Sequence, residues 1–243
     1  MQAGKTILSA VAASPAHGGA ARLPLSVGGL QLVERLRNGF DSSVEAIATA
    51  VETRDGYTES HCRRLALFSA IMAARLGLDA GEIEAIRIGA LLHDVGKLGV
   101  RDELLLKAGR FSAEERAEMQ SHAKIGHRIS STIRDLSPTA LACVRHHHEC
   151  WDGSGYPDGL CGEEIPLGAR IVSIVDVWDA LSTTRPYKPA YSQEQVCELL
   201  LKGRGSHFDP PLVDLFLQIL EQEGEEMLAL IDSHLAIRSS TAA

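Results

Sequence analysis

The chain predicts an all-α fold, and three observations carry that reading. Apolar residues recur at spacings of three and four in one segment after another. No stretch alternates apolar and polar residues as a half-buried strand does, and there is no internal repeat or sustained heptad. Helix start and stop signals fall between the periodic segments: Gly77, then Asp79 with Glu82, Ser112 with Glu115, and Pro138. With 243 residues, 45% hydrophobic and 23% charged, the chain can bury a proper core as one large domain or two small ones.

Residues 1–26 are rich in Ala, Gly and Ser without periodicity and read as a flexible N-terminus. A secretion signal fits poorly there, because the apolar stretch after Lys5 is short and broken by Ser9 and Ser14. A lead-in helical segment over 27–54 follows, with Leu32, Val33, Leu36, Phe40, Ile47 and Val51 as its apolar stripe and a break expected at Asn38-Gly39. Tyr57 to Leu76 reads as a helix with His61 near its start and Leu65, Phe68, Ile71 and Met72 turned inward. Gly81 to Leu92 is the next, with Ile83, Ile86, Ala90 and His93 on one face. A further helix, opened by Ser112 and Glu115, puts Met119, His122, Gly126, Ile129 and Ile133 on one face. Thr139 to about Glu149 aligns Leu141, Val144 and His148. Trp151 to Gly168 is a glycine-rich loop. Gly168 to Leu181 forms a helix with Asp176 in its middle, and Arg185-Pro186-Tyr187-Lys188 interrupts before two or three helices running to about Ile237. Residues 238–243 form a tail.

A formal charge of −8 excludes bulk electrostatic attraction to nucleic acid or anionic membrane, so neither is an expected partner. No apolar run reaches the ~18–20 residues that span a bilayer. Five scattered cysteines without a C-x-x-C pair suit reduced thiols and a cytoplasmic location. Ten histidines, five of them between His122 and His148, say more.

The chain is organised around Leu91-Leu92-His93-Asp94-Val95-Gly96-Lys97. His93 shares the apolar face, and Asp94 lies about 100° further round the helix, so the pair can flank one cleft. Gly96 supplies a C-cap, and Lys97 leaves the helix end beside the pair. On this stretch alone, a hydrogen-bonded core histidine beside a solvated aspartate explains the residues as well as a metal pair does. The wider set is more telling: His61, His93, Asp94, His122, His147, His148 and Asp176 all sit on or at the end of expected helices. Five imidazoles and two carboxylates suffice for two ions sharing a bridging carboxylate. Nitrogen and oxygen donors without thiolate favour iron or manganese over structural zinc. Two ions ~3.5–4 Å apart generate hydroxide at neutral pH and neutralise phosphate oxygens, the standard device for displacement at phosphorus.

His93-Asp94 with Gly96-Lys97 resembles the signature of the HD hydrolases. His147-His148-Glu149, then Asp152-Gly153-Ser154-Gly155-Tyr156-Pro157 and Arg185-Pro186-Tyr187, resemble the HD-GYP subfamily, and the likeness runs from about Glu52 to Pro211. The resemblance implies an all-α HD-domain helical bundle with an added GYP loop and C-terminal helices, here over 55–237. It implies hydrolysis of the bacterial messenger cyclic di-GMP to pGpG and onward to GMP, by a hydroxide bridging the metals. Carried over residue by residue, it makes the seven residues above the metal ligands, with Asp94 bridging. Lys97 then lies near the scissile phosphate and Asp55 near the hydroxide, while Tyr156, Arg185 and Lys188 hold phosphates and bases. The implied cofactors are two divalent transition-metal ions, iron or manganese first, with zinc, nickel, magnesium or cobalt as substitutes. The implied partners are a sensor, receiver or GGDEF-type regulatory protein acting in trans, and a second copy in a homodimer.

Three departures bear on these expectations. Members with a third metal carry a glutamate where this chain has Tyr57, which favours two ions. Ala123 follows His122 where proline is common, and His146 precedes the ligand pair as a spare on the helix surface. Glu149 either orients a histidine or caps its helix. Two alternatives to cyclic di-GMP hydrolysis stand beside it. One is an HD phosphohydrolase for another nucleotide, against which the GYP loop and Arg185 to Lys188 speak. The other is a non-catalytic module that binds the messenger or partner proteins.

Overall fold

Helix α1 runs Val27–Asp55 without a break, straight through Asn38-Gly39. A single glycine costs ~1 kcal/mol in a helix interior, too little to stop a helix of 29 residues. The structure, a computed structural model, describes residues 27–55, 61–184 and 189–224. The readings placed on 1–26, on Tyr57, on Arg185 to Lys188 and beyond residue 224 lie outside the described residues. The chain divides into two compact units, Met1–Ser43 and Val44–Ala243. In the second unit, Val44, Ala48 and Val51 of α1 are buried core residues.

The other helices are α2 (His61–Arg75), α3 (Ala80–Leu92), the short α4 (Asp102–Leu105), α5 (Ala113–Gln120), α6 (His122–Ser130), α7 (Pro138–His146), α8 (Leu167–Ser182) and α9 (Gln193–Gly203). Helix α10 covers 210–224. Among the described residues there is no strand, only an isolated bridge between Arg204 and Phe208. The all-α fold expected from periodicity is the fold observed. Helices α2, α3, α7 and α8 pack on one another, and α6 packs on α7. Phe68 of α2, Trp178 of α8 and Phe216 of α10 meet at ring separations of 4.6 to 6.0 Å. Burying each such ring contributes roughly 1.5–3 kcal/mol.

The expected punctuation is present with some changes of partner. Gly77 ends α2 at φ 77°. Ser112 and Glu115 form a full capping box. Asp79 caps α3 through the amides of Gly81 and Glu82, but the Glu82 carboxylate accepts from Thr139 Oγ1 (2.9 Å) and ties α3 to α7 instead of closing a box. The stretch read as one helix from Ser112 is interrupted at Ser121. There the Glu118 and Met119 carbonyls accept from Ser121 Oγ (2.6 Å) and His122 Nδ1 (2.7 Å), side-chain donors that compete with the ladder. Helix α7 ends at His146, so His147 and His148 stand on the turn after it.

Gly96 is no C-cap. Helix α3 ends at Leu92 with His93 as its cap, and Gly96 lies in a 3-10 turn over Val95–Gly99. That turn rests backbone-to-backbone on α6, where a Cβ on Gly96 would sit 1.8 Å from His122 O.

Candidate metal centre

Helix ends do most of the positioning. His61 is the first residue of α2, His93 the cap of α3, His122 the first residue of α6 and His147 the cap of α7. Asp94 follows His93 at φ −98°, ψ 6°, a turn conformation that aims its carboxylate back toward the imidazoles. Asp176 comes from mid-α8.

Asp94 faces two ways. Its Oδ1 lies 3.4 Å from His122 Nε2 and 3.9 Å from His147 Nε2. Its Oδ2 lies 3.2 Å from His93 Nε2 and 2.7 Å from Lys97 Nζ. Asp94, His122, His147 and His148 bring four ligand atoms within 4.8 Å of one another. On the other side, Asp176 Oδ1 is 3.7 Å from His61 Nε2 and 4.0 Å from His93 Nε2. The structure therefore brings all seven expected ligands together, in two groups sharing Asp94.

In His93, His122 and His147 the Nδ1 atom is occupied elsewhere, which leaves Nε2 for the centre. His93 Nδ1 meets Ala90 O at 2.8 Å, His122 Nδ1 meets Met119 O, and His147 Nδ1 meets Val144 O at 3.0 Å. Backbone carbonyls accept here, so each Nδ1 is the protonated nitrogen. Burial pushes the His147 imidazole well down and the His148 imidazole down to about 4, so both are neutral at neutral pH. His93 runs the other way. Burial alone would lower it, but the Asp94 carboxylate raises it to about 9. Burial likewise opposes ionisation of Asp94, and Lys97 and His93 overcome it.

These residues fit a divalent metal. His93 is fully buried, yet its Nε2 makes ion contacts with Asp94 and Asp176 and no well-directed hydrogen bond. A carboxylate that holds a buried imidazole protonated marks a place where a cation is wanted. The donors are imidazole and carboxylate, the set that suits first-row divalent ions. A cavity of about 290 Å³ lined by Leu78, Ile86, Pro138 and Leu167 shares no residue with this centre.

Lys97 Nζ lies 2.5 Å from Asp55 Oδ2, so the two expected catalytic residues are a pair at the rim of the centre. Tyr156 stacks on His148, ring centroids 4.8 Å apart at 29°, so His148 covers one face of its ring. Arg185 and Lys188 lie outside the described residues. Glu149 does not cap α7, and the imidazole it meets is that of His146, 3.8 Å away, not one of the expected ligands. Glu149 is buried, and its two oxygens accept from the Asp158 amide (2.8 Å) and the Leu160 amide (3.1 Å), bracing the loop that carries Tyr156. The loop folds back so tightly that a Cβ on Gly155 would lie 2.3 Å from Cys150 N. His146 is half-buried at the foot of this loop, 3.5 Å from Asp158, and is not a surface spare.

Sequence reading missed two residues behind the ligands. Buried Asp179 accepts from His61 Nδ1 at 2.7 Å and pairs with Arg64. The signal was available: Asp176 and Asp179 are one turn apart on one helix face. Cys62, expected to stand apart, places its sulfur within 4.8 Å of nitrogens of His61 and His93. Asp179→Asn is expected to weaken metal binding by ~10–100-fold, because it removes the carboxylate that orients a ligating imidazole. Competition with a chelator measures this. An unchanged affinity would mean that Asp179 only holds Arg64.

Comparison with known proteins gives three findings. The HD domain family profile matches residues 45–212. The chain is 42% identical over 178 residues to the cyclic di-GMP phosphodiesterase response regulator RpfG of Xanthomonas campestris, covering 72% of this chain and 47% of that protein. It is 40% identical over 190 residues to the 3'3'-cGAMP-specific phosphodiesterase 2 of Vibrio cholerae, covering 78% of this chain and 36% of that one. The chain thus spans less than half the length of either relative. The crystal structure of a cyclic GMP-AMP specific phosphodiesterase of Vibrio cholerae superposes with a TM-score of 0.62 at 22% identity, covering 77% of this chain and 50% of that one, a likeness of fold.

Proposed function

The chain belongs to the HD domain family, in its HD-GYP group, and from that premise we propose that it is a metal-dependent phosphodiesterase hydrolysing cyclic di-GMP to pGpG and onward to GMP. The observation that carries the reading is the two-sided carboxylate of Asp94, with His122 and His147 on Oδ1's side and His93 and Lys97 on Oδ2's.

His61, His93, Asp94 and Asp176 would hold one ion, and Asp94, His122, His147 and His148 a second, iron or manganese by donor type. Such ions supply Lewis-acid chemistry and an acidified water for attack at phosphorus. The chain's own groups do the rest. Lys97, held between Asp55 and Asp94, presents an ammonium to the equatorial phosphate oxygens, a donor worth about 3 kcal/mol in comparable sites. Tyr156 offers the ring face that His148 leaves uncovered as a wall for a guanine. Arg185 and Lys188 follow α8 in sequence and supply cations for the second phosphate. Five scattered cysteines without a C-x-x-C pair support a cytoplasmic location, and no described helix is long and apolar enough to cross a membrane. Input comes from a sensor, receiver or GGDEF-type partner, and a homodimer is the working assembly.

A second reading rests on the Vibrio relative at 40% identity, named for 3'3'-cGAMP. Metal analysis of protein purified without oxygen, with product chromatography on both dinucleotides, tests the two. About two ions per chain with pGpG from cyclic di-GMP is the expected result. Turnover of 3'3'-cGAMP alone moves the assignment to the second reading. Metal-loaded protein that binds a dinucleotide and cleaves neither is a non-catalytic module, and the proposal falls.

A further inference from the structure

We propose that Arg54 is a positioning residue for Lys97, fixing the main chain that carries the lysine while Asp55, next in sequence, fixes its ammonium. The inference rests on the reading of Lys97 as the group that meets the substrate phosphate.

Arg54 and Asp55 are the last two residues of α1. Arg54 donates from Nη1 to Lys97 O at 2.6 Å and from Nη2 to Val100 O at 2.5 Å. Its Nε and Nη2 also reach Asp102 Oδ1 at 2.8 and 2.6 Å. Asp102 is 68% exposed, so that ion pair adds little in water. The two carbonyls are the informative contacts. Lys97 O sits at the end of the 3-10 turn Val95–Gly99, where it also accepts from Val100 N at 3.0 Å, and Val100 O lies just past the turn. Helical turns end on under-used carbonyls, and the planar fork of a guanidinium serves two of them in a fixed geometry, where an ammonium is a point charge on a flexible stem.

Lysine has four rotatable side-chain bonds, so fixing its ammonium alone does not fix where it aims. Here the residue is gripped at both ends by adjacent residues of one helix: Arg54 at the carbonyl, Asp55 at Nζ. Asp94 Oδ2 at 2.7 Å completes the grip and ties it to the metal ligands. A displacement of about 1 Å in such a group can cost on the order of 100-fold in rate.

The test compares the full chain with Arg54→Ala and Arg54→Lys. Arg54→Ala is expected to lower kcat by ~10–100-fold with KM, metal content and Tm near the parent values. Arg54→Lys should recover only part of the rate, and added guanidinium ion should restore much of the loss in Arg54→Ala. The ammonium resonance of Lys97 in protein carrying 15N-lysine, assigned by its absence in Lys97→Ala, should shift in Arg54→Ala toward that of a solvated lysine. A parent-like kcat and an unmoved resonance overturn the proposal. So does a loss of metal and Tm in step with kcat that guanidinium does not repair, since Arg54 would then be only structural. Were the parent chain to cleave no cyclic dinucleotide, the functional reading would fail, and the Lys97 resonance alone would decide Arg54.

Discussion

Asp94→Ala is expected to strip the protein of metal and of hydrolysis together, while Lys97→Ala keeps the metal and loses turnover by ~10²–10³-fold. The asymmetry follows from what each side chain touches. Among the described residues Asp94 is the group that faces both histidine sets, with His122 and His147 against Oδ1 and His93 against Oδ2. Its removal leaves imidazoles that no longer share a carboxylate, and also leaves Lys97 and His93 without a main counter-charge. Breaking a buried charge pair from one side costs roughly 3–5 kcal/mol, so the variant should be checked for folding before its metal content is read. Lys97 meets the carboxylates of Asp55 and Asp94 through its ammonium, and its own side chain is not a metal donor in this reading. Its loss leaves the donor set intact. Elemental analysis beside turnover of cyclic di-GMP separates the two. Equal metal loss in both variants would make Lys97 part of the metal-holding framework, and full metal in Asp94→Ala would remove the shared-carboxylate reading.

What could be read from the sequence was what is encoded locally. Helical spacing placed His93 and His122 on apolar faces, and the structure buries both. Capping chemistry located Ser112 and Gly77 correctly, because an N-cap and a positive-φ stop involve residues within one turn. The failures share a cause: each depends on a contact far away in sequence. Glu82 looked like half of a capping box until Thr139, 57 positions on, took its carboxylate. Glu149 was read against its neighbours, yet its oxygens serve amides nine and eleven residues later. Arg54 carries no motif at all, and its role exists only because Lys97 folds back over the end of α1. The interruption at Ser121 was hidden for another reason. Helical periodicity continues through it, and only hydrogen-bond competition by Ser121 and His122 reveals it.

Gly96→Ala should unfold or badly destabilise the protein, although glycine-to-alanine in a helical turn ordinarily helps. The sequence made Gly96 a helix terminator, for which alanine would be a mild substitute. The structure makes it a contact. A Cβ there would meet His122 O at 1.8 Å, Gly126 N at 2.4 Å and His122 C at 2.8 Å, all backbone atoms that cannot rotate away. Relief requires α6 to move off the 3-10 turn. Gly126 has the same problem in reverse, with Gly96 N at 3.1 Å and Val144 Cγ1 at 3.0 Å from its would-be Cβ. The cost should reach or exceed the upper end of the ~1–3 kcal/mol typical of overpacked cores. The chemistry would suffer too, because α6 begins with His122, whose Nε2 stands 3.4 Å from Asp94 Oδ1. Moving α6 outward withdraws an imidazole from Asp94 even in molecules that stay folded, so metal should be lost first from the side that His122 serves. Gly39→Ala is the control: nothing lies within 4 Å of its would-be Cβ, and removing a glycine from mid-α1 should be neutral or stabilising by up to ~1 kcal/mol. Thermal melting with metal analysis reads both variants. A Gly96→Ala protein that melts with the parent and keeps its full metal would show that the turn and α6 are not in backbone contact.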